Sequence, residues 1–212
     1  MPTEPVAGAP EPEVTSRRRL VVVLARHVAA APDRVDPAAF AAAALADSYE
    51  VAADLVDVDA TIAGPASAAE LLYPGARLLP ADAPLAELVA VAAESGYAEV
   101  VFLPGDAPDL PGLVVAKLFK ALNRAAVAVA PERGGTGCVA LGVALPLAEW
   151  AELPADLDTD PRPSLYRAAP RRSKVASTPD WHRLRSAEDV LTRLDPALEG
   201  WEETRLLLSS RR

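Results

Sequence analysis

The feature that most constrains the fold is a short apolar run in mid-chain that stops at a turn followed by acidic residues. Residues 100–103, VVFL, are too few for a helix and rich in β-branched and aromatic types, which is typical of a strand buried on both faces. Pro104 and Gly105 end the run, and Asp106 and Asp109 follow. In open α/β sheets, ligands bind beyond the carboxyl ends of the strands. The pattern therefore predicts a central strand with a candidate binding site at its carboxyl end.

The two aspartates each allow two interpretations. A carboxylate beside a glycine, which lets a ligand approach the backbone, suits a divalent metal and a phosphate. Asp106 could equally close a turn, and Asp109 could cap the helix that begins near Pro111. The residues alone leave both interpretations open.

Strand-like apolar runs alternate with helix-like amphipathic segments along the chain. Strands are predicted at residues 20–24, 57–64, 100–103, 125–130 and 138–145, and helices at 36–55, 66–72, 84–95, 111–122 and 186–194. Asp36 is a predicted helix cap, and Ser186 with Asp189 fits a capping box. Short connections between such segments predict an α/β fold with a doubly wound, mostly parallel sheet in a three-layer, Rossmann-like arrangement.

The length of 212 residues suits a single α/β domain. We expect a disordered leader at residues 1–18, because it is rich in Pro and Glu and has its arginines at the wrong end for a signal peptide. The domain is predicted to span residues 19–208, with a basic, irregular segment at about 154–185. Seven cations and one acid lie between Arg162 and Arg185, so this stretch is either a solvated loop or faces an anion.

Composition narrows the classes of partner. A net charge of −9 argues against nucleic acid, whose phosphate backbone needs a basic face. No apolar stretch reaches the ~18 residues that indicate a membrane span. Cys138 is the only cysteine, which excludes an intrachain disulfide and fits a cytoplasmic location. With His27 and His182 as the only histidines, no catalytic residue is assigned.

Two motifs resemble known transferases. VVFLPGDAPDLP, residues 100–111, resembles the central metal-binding strand of GT-A-type nucleotidyl- and glycosyltransferases. APERGGTGCVALG, residues 130–142, resembles the glycine–threonine–glycine loop of the guanylyltransferases of deazaflavin-cofactor biosynthesis, which join phosphoenolpyruvate or phospholactate to GMP. These motifs and a terminal Glu203-Thr204-Arg205-Leu206 also resemble an uncharacterised bacterial glycosyltransferase-like family of the same superfold. The likeness spans roughly residues 20–208.

The resemblance implies a nucleotide-dependent transferase that uses Mg²⁺ or Mn²⁺. Its implied partners are GTP or a nucleotide-sugar and a small phosphorylated acceptor, with Asp106 holding the metal. The implied nucleotide- or substrate-binding residues are Arg26, Gly105, Gly134, Gly135, Thr136, Gly137, Arg183 and Arg185. The alternative is a catalytically degenerate member that binds a nucleotide or a protein without turnover.

Two departures from the family pattern weigh on this interpretation. The basic segment after the first strand is replaced by Pro32–Asp36, which has one arginine and no lysine. The second metal aspartate, expected before the last helix, is absent from Trp181–Ser186. Since Mg²⁺ usually takes one or two carboxylates plus phosphate oxygens, Asp106 alone would hold it weakly. Arginines of the second segment could supply part of the missing positive charge, and we expect slow or absent turnover.

Overall fold

The computed structural model describes residues 17–209. The predicted leader lies outside the described residues except for Arg17 and Arg18. The strands are β1 (Arg19–Leu24), β2 (Asp59–Ala63), β3 (Glu99–Pro104), β4 (Val127–Pro131), β5 (Cys138–Ala144) and β6 (Val175–Ser177). The helices are α1 (Pro37–Ala53), α2 (Leu85–Glu94), α3 (Gly112–Leu122), α4 (Arg162–Ala168), α5 (Ala187–Arg193) and α6 (Glu202–Ser209), with short 3-10 turns at Ala66–Leu71 and Arg172–Lys174.

The strands form one six-stranded sheet in the order β2-β1-β3-β5-β4-β6. β1 pairs in parallel with β2 and β3, and β4 pairs in parallel with β6. β5 pairs antiparallel with both β3 and β4. The other five strands therefore run in one direction, and the predicted doubly wound, mostly parallel sheet is confirmed.

Helices cover both faces of the sheet. Alternate strand residues point to opposite faces, so Val21 packs with α1 and α3 in one cluster, whereas Val22 packs with α2 in another. All six residues of β3 are buried, which explains the continuous apolar run of residues 100–103 within it. Asp106 lies just beyond the carboxyl end of β3, the central strand.

The segment at about 154–185, predicted to be irregular, contains α4 and β6 between stretches without regular structure. Pro163 falls in the first turn of α4, where a missing N–H costs no hydrogen bond. β6 has only three residues, too few for a readable pattern, and it forms by pairing with β4. Among residues 17–209, the helices are too short or too polar to span a bilayer.

Two helices begin where capping residues in the sequence predicted them to begin. The Asp36 carboxylate accepts a hydrogen bond of 2.7 Å from the Ala39 N–H at the start of α1. Ser186 and Asp189 form the predicted capping box of α5. Because α5 begins only after Ser186, the residues before it are not helical and run across the carboxyl end of the sheet.

Candidate functional site

The segment Trp181–Arg185 occupies the crevice at the carboxyl ends of β1 and β3. The Leu184 N–H donates to the carbonyl of Asp106 at 2.8 Å, and the Leu184 carbonyl accepts from the Ala30 N–H at 2.9 Å. One residue thus ties the loop after β3 to the loop after β1. The neighbouring side chains, Arg183 and Arg185, are held in the site that the sequence predicted for metal and phosphate.

Arg183 forms a buried, two-pronged ion pair with Asp106. Its Nε and Nη2 donate to Oδ1 and Oδ2 of Asp106 at 2.7 and 2.8 Å. Its Nη1 donates to Oδ1 of Asp158 at 2.9 Å. The exposed fractions are 1% for Arg183 and 2% for Asp106, so the pair has almost no contact with solvent. Both oxygens of Asp106 are engaged by the protein's own guanidinium.

Arg185 extends this network towards the glycine loop. Its Nε and Nη2 donate to Oε1 and Oε2 of Glu132 at 2.7 and 2.9 Å, and Nη2 lies 2.8 Å from Oδ1 of Asp158. Burial disfavours the charged guanidinium, but Glu132 and Asp158 outweigh this effect and raise the pKa of Arg185. For Asp158, burial opposes ionisation, but the charges of Arg183, His27 and Arg185 prevail and lower its pKa.

The glycine loop, residues 134–137, packs closely against other groups of the protein. The Gly137 N–H donates to Oε2 of Glu132 at 3.3 Å. A Cβ on Gly135 would lie 2.2 Å from the Glu132 carboxyl carbon, and one on Gly137 would lie 2.3 Å from the Leu157 carbonyl oxygen. Thr136 is exposed, and its hydroxyl approaches the Asp158 carbonyl at 3.5 Å. Close approach by the protein's own groups explains these glycines without a ligand.

Three other residues predicted to bind the nucleotide also have structural contacts. Arg26 donates to the carbonyls of Ala83 at 2.8 Å and Ala155 at 3.2 Å, and so joins two loops. A Cβ on Gly105 would lie 3.0 Å from the His27 carbonyl oxygen. At Gly134, where φ is +77°, an added Cβ would lie 3.4 Å from the guanidinium of Arg193.

Asp109 does not cap α3, so that interpretation is wrong. Pro111 is the N-cap and provides no side-chain hydrogen bond. Asp109 instead accepts from the Trp181 indole N–H at 3.2 Å and lies 3.0 Å from Nε2 of His182. The Trp181 and His182 rings stack with centroids 5.0 Å apart. This contact fixes the start of the segment that carries Arg183.

His27, Glu132 and Asp158 belong to the network although the sequence did not identify them. His27 is buried, with Nδ1 3.5 Å from Oδ1 of Asp158. Burial, and next the charge of Arg183, lower the pKa of His27 to about 4. Glu132 lies inside the quoted loop motif, and Asp158 lies within the basic segment, just before its first arginine, Arg162. The excess of arginine in that segment was the one feature of the sequence that indicated a need for acidic partners.

The donor set does not fit a divalent cation. A metal at Asp106 needs free carboxylate oxygens, and both oxygens accept from Arg183. Within residues 17–209, no group of three or more His, Cys, Asp or Glu side chains is arranged to hold a metal ion. Cys138 is no substitute ligand, because burial raises the pKa of its thiol to about 12. The guanidinium of Arg183 takes the place that the sequence assigned to the metal.

Comparison with solved structures identifies the fold. A protein of Desulfovibrio desulfuricans G20 assigned as a nucleotide-diphospho-sugar transferase matches with a TM-score of 0.62 and 20% identity, over 91% of this chain and 94% of its own. The fold is that of nucleotidyltransferases. A 4-diphosphocytidyl-2C-methyl-D-erythritol synthase matches with a TM-score of 0.55 and 15% identity, over 91% of this chain and 99% of its own.

A third similar structure is a Mycobacterium tuberculosis H37Rv protein in complex with manganese. It has a TM-score of 0.51 and 17% identity, and the match covers 92% of this chain and all of the other. No family model and no curated protein matches the sequence. The likeness therefore concerns the fold, and function must be argued from the site.

Proposed function

We propose that this chain is a catalytically degenerate protein of the nucleotidyltransferase fold, which acts as a binding module and does not transfer nucleotides with a divalent metal. One observation carries the proposal: Arg183 occupies both oxygens of Asp106 in a buried ion pair. In an enzyme of the kind implied by the sequence motifs, that carboxylate would face a cation and the nucleotide phosphates.

Energetics favour the closed arrangement over a metal-bound one. Removing one partner from a buried ion pair costs about 3–5 kcal/mol, because the other charge is left uncompensated. A metal that displaced Arg183 would meet this cost, which corresponds to an affinity lower by a factor of roughly 10² to 10⁴. Arg185 and Glu132 would have to separate as well for phosphate oxygens to reach the glycine loop.

A metal-dependent transferase is the second candidate, and the shared fold and the manganese-bound neighbour favour it. In this case Arg183 would leave Asp106, which would then hold Mg²⁺ or Mn²⁺. Arg183, Arg185 and Arg26 would contact GTP or a nucleotide-sugar. The backbone of Gly105 and of residues 134–137 would line the nucleotide site, opposite a small phosphorylated acceptor.

A turnover assay separates the two candidates. The full chain is incubated with GTP, Mg²⁺ or Mn²⁺, and phosphoenolpyruvate or phospholactate, and release of pyrophosphate is measured. We expect no release above that of a protein-free reaction. Turnover that is lost in Asp106→Asn, but kept in the matched exposed variant Asp82→Asn, would overturn the proposal.

Restoring the acid of the family pattern gives a complementary test. Arg183→Asp would remove the internal cation and place a second carboxylate beside Asp106 and Asp158. We expect this variant to acquire Mn²⁺ binding that the natural chain lacks, measured by electron paramagnetic resonance. A variant that folds, as judged by circular dichroism, yet binds no Mn²⁺ would show that Arg183 is not what excludes the metal.

A further inference from the structure

A second candidate site lies at the opposite end of the sheet, along the free edge of β2. At the carboxyl end of β2, Leu79 extends the sheet by bridging to Ala63. On the amino-terminal side of that bridge, a cleft of about 710 Å³ opens between the start of β2, the loop of residues 73–79 and the end of α2. This volume is in the range of small-molecule sites, about 300–1,000 Å³. None of the residues in the Asp106 network lines it.

Tyrosine rings form much of the cleft wall. Tyr49 lies buried at its base, and its hydroxyl accepts from the Tyr73 N–H at 3.1 Å. The Tyr73 ring packs against Tyr49 with centroids 5.5 Å apart but remains 52% exposed. Tyr97 is half-buried on the other side. An exposed aromatic ring fixed at a cleft by a buried partner is suited to stack on a planar ligand.

The cleft is positively charged although the chain as a whole is acidic. Its charged lining residues are Arg18, Arg77 and Asp59. Asp59 accepts from Arg18 at 3.1 Å and from the Tyr97 hydroxyl at 2.8 Å, and the Arg18 guanidinium lies 4.3 Å from the Tyr97 ring centre. Arg77 is exposed, and its guanidinium has no hydrogen bond or ion pair with any residue between 17 and 209.

The Arg77 backbone is nevertheless fixed. Its carbonyl accepts a hydrogen bond from the hydroxyl of Thr61 on β2. The loop is also joined to β2 by the Leu79 N–H, which donates to the Ile62 carbonyl at 2.9 Å. A cation that has no partner among residues 17–209 thus lines the same cleft as the exposed ring of Tyr73.

We propose that this cleft binds a small planar aromatic anion, with Tyr73 contacting the ring and Arg77 pairing with its carboxylate or phosphate. Arginine is suited to both groups, because its planar donors match their oxygens. The inference goes beyond the proposed function and is independent of it, since the cleft and the Asp106 network share no residue.

Titrations followed by two-dimensional ¹H–¹⁵N NMR of the full chain test this site. The anionic probes are 4-hydroxybenzoate and GMP, and the neutral controls are 4-hydroxybenzyl alcohol and guanosine. We expect at least one anion to shift the amide signals of residues 73–79 and of β2, with the matching neutral compound binding about tenfold more weakly or worse. Binding of 4-hydroxybenzoate alone would identify a carboxylate ligand, and binding of GMP alone a phosphate ligand.

Variants at exposed positions keep the test independent of folding. Arg77→Ala should weaken binding of the anion about tenfold, Tyr73→Ala should weaken both anion and neutral analogue, and the exposed control Arg124→Ala should change neither. The proposal is overturned if neither anion binds, if neutral and anionic probes bind equally, or if Arg77→Ala leaves the affinity unchanged.

Discussion

The two ends of the sheet use arginine in opposite ways. At the carboxyl end, Arg183 and Arg185 are paired with the protein's own carboxylates, those of Asp106, Glu132 and Asp158. At the amino end, Arg77 lines an open cleft and has no such partner among residues 17–209. The difference shows that a basic residue near a presumed ligand site indicates binding only when its charge is not already neutralised. The position of the acidic residues in the fold favoured the carboxyl end of the sheet as the ligand-binding site. The pairing of charges favours the amino end instead.

The largest contrast is expected between two substitutions of the same kind. Arg183→Ala leaves Asp106 buried without a counter-charge and should lower the free energy of unfolding by about 3–5 kcal/mol. Arg77→Ala removes an exposed cation that has no partner among residues 17–209, and it should change the free energy of unfolding by less than about 0.5 kcal/mol. Urea denaturation followed by circular dichroism measures both. Equal effects of the two substitutions would remove the basis of the comparison.

His27 offers a pH test of the closed end. Its pKa is lowered to about 4 by burial and by Arg183, whereas an unfolded histidine titrates near 6.5. The unfolded chain therefore binds more protons between these values, so stability is full above about pH 6.5 and falls as the pH drops towards 4. The contribution of this group is about 3 kcal/mol in total.

Denaturation of the natural chain and of His27→Gln across this range isolates the effect, since the other titrating groups are common to both proteins. The difference between their unfolding free energies should change by about 2–3 kcal/mol between pH 7 and pH 4. A constant difference would mean that His27 is not held neutral by its surroundings. An NMR titration of the His27 ring provides a direct reading of the same pKa.

A smaller contrast is expected for two partly exposed arginines. Arg185→Ala would leave the buried carboxylate of Glu132 without its guanidinium, at a cost of about 1–3 kcal/mol. Arg18→Ala removes an ion pair whose two side chains are both more than half exposed, so about 0–1 kcal/mol is expected. Thermal unfolding at low and high salt measures the two costs. If Arg18→Ala cost as much as Arg185→Ala, the arginine charges at the amino end would be as fully neutralised by the protein's own carboxylates as those at the carboxyl end.

The fold was predictable because its signals are local. The apolar run of β3, the Asp36 cap and the Ser186–Asp189 capping box each show in a few neighbouring residues. β6 was missed because its three residues form a strand only through pairing with β4. Similarly, the sequence shows that Trp181–Ser186 contains no acidic residue, but it does not show which residues pair with the arginines of this segment.

Those partners come from separate loops. Glu132 follows β4, and Asp158 lies in the connection before α4, where no hydrophobic period marks a residue as facing the site. Only the tertiary fold brings both carboxylates to Arg185. The sequence therefore predicted which segment departs from the family pattern, and the structure was needed to show that its arginines are paired with carboxylates of the same chain.

Manganese binding by the natural chain is the most direct test of the central claim, that Arg183 closes the carboxyl end. The protein is titrated with Mn²⁺ in the presence of GTP, and paramagnetic broadening of backbone amide signals locates any bound ion. We predict no saturable broadening at Gly105, Asp106 or His27 up to millimolar Mn²⁺. Saturable broadening centred on Asp106 at micromolar Mn²⁺, reversed by a chelator, would contradict the account.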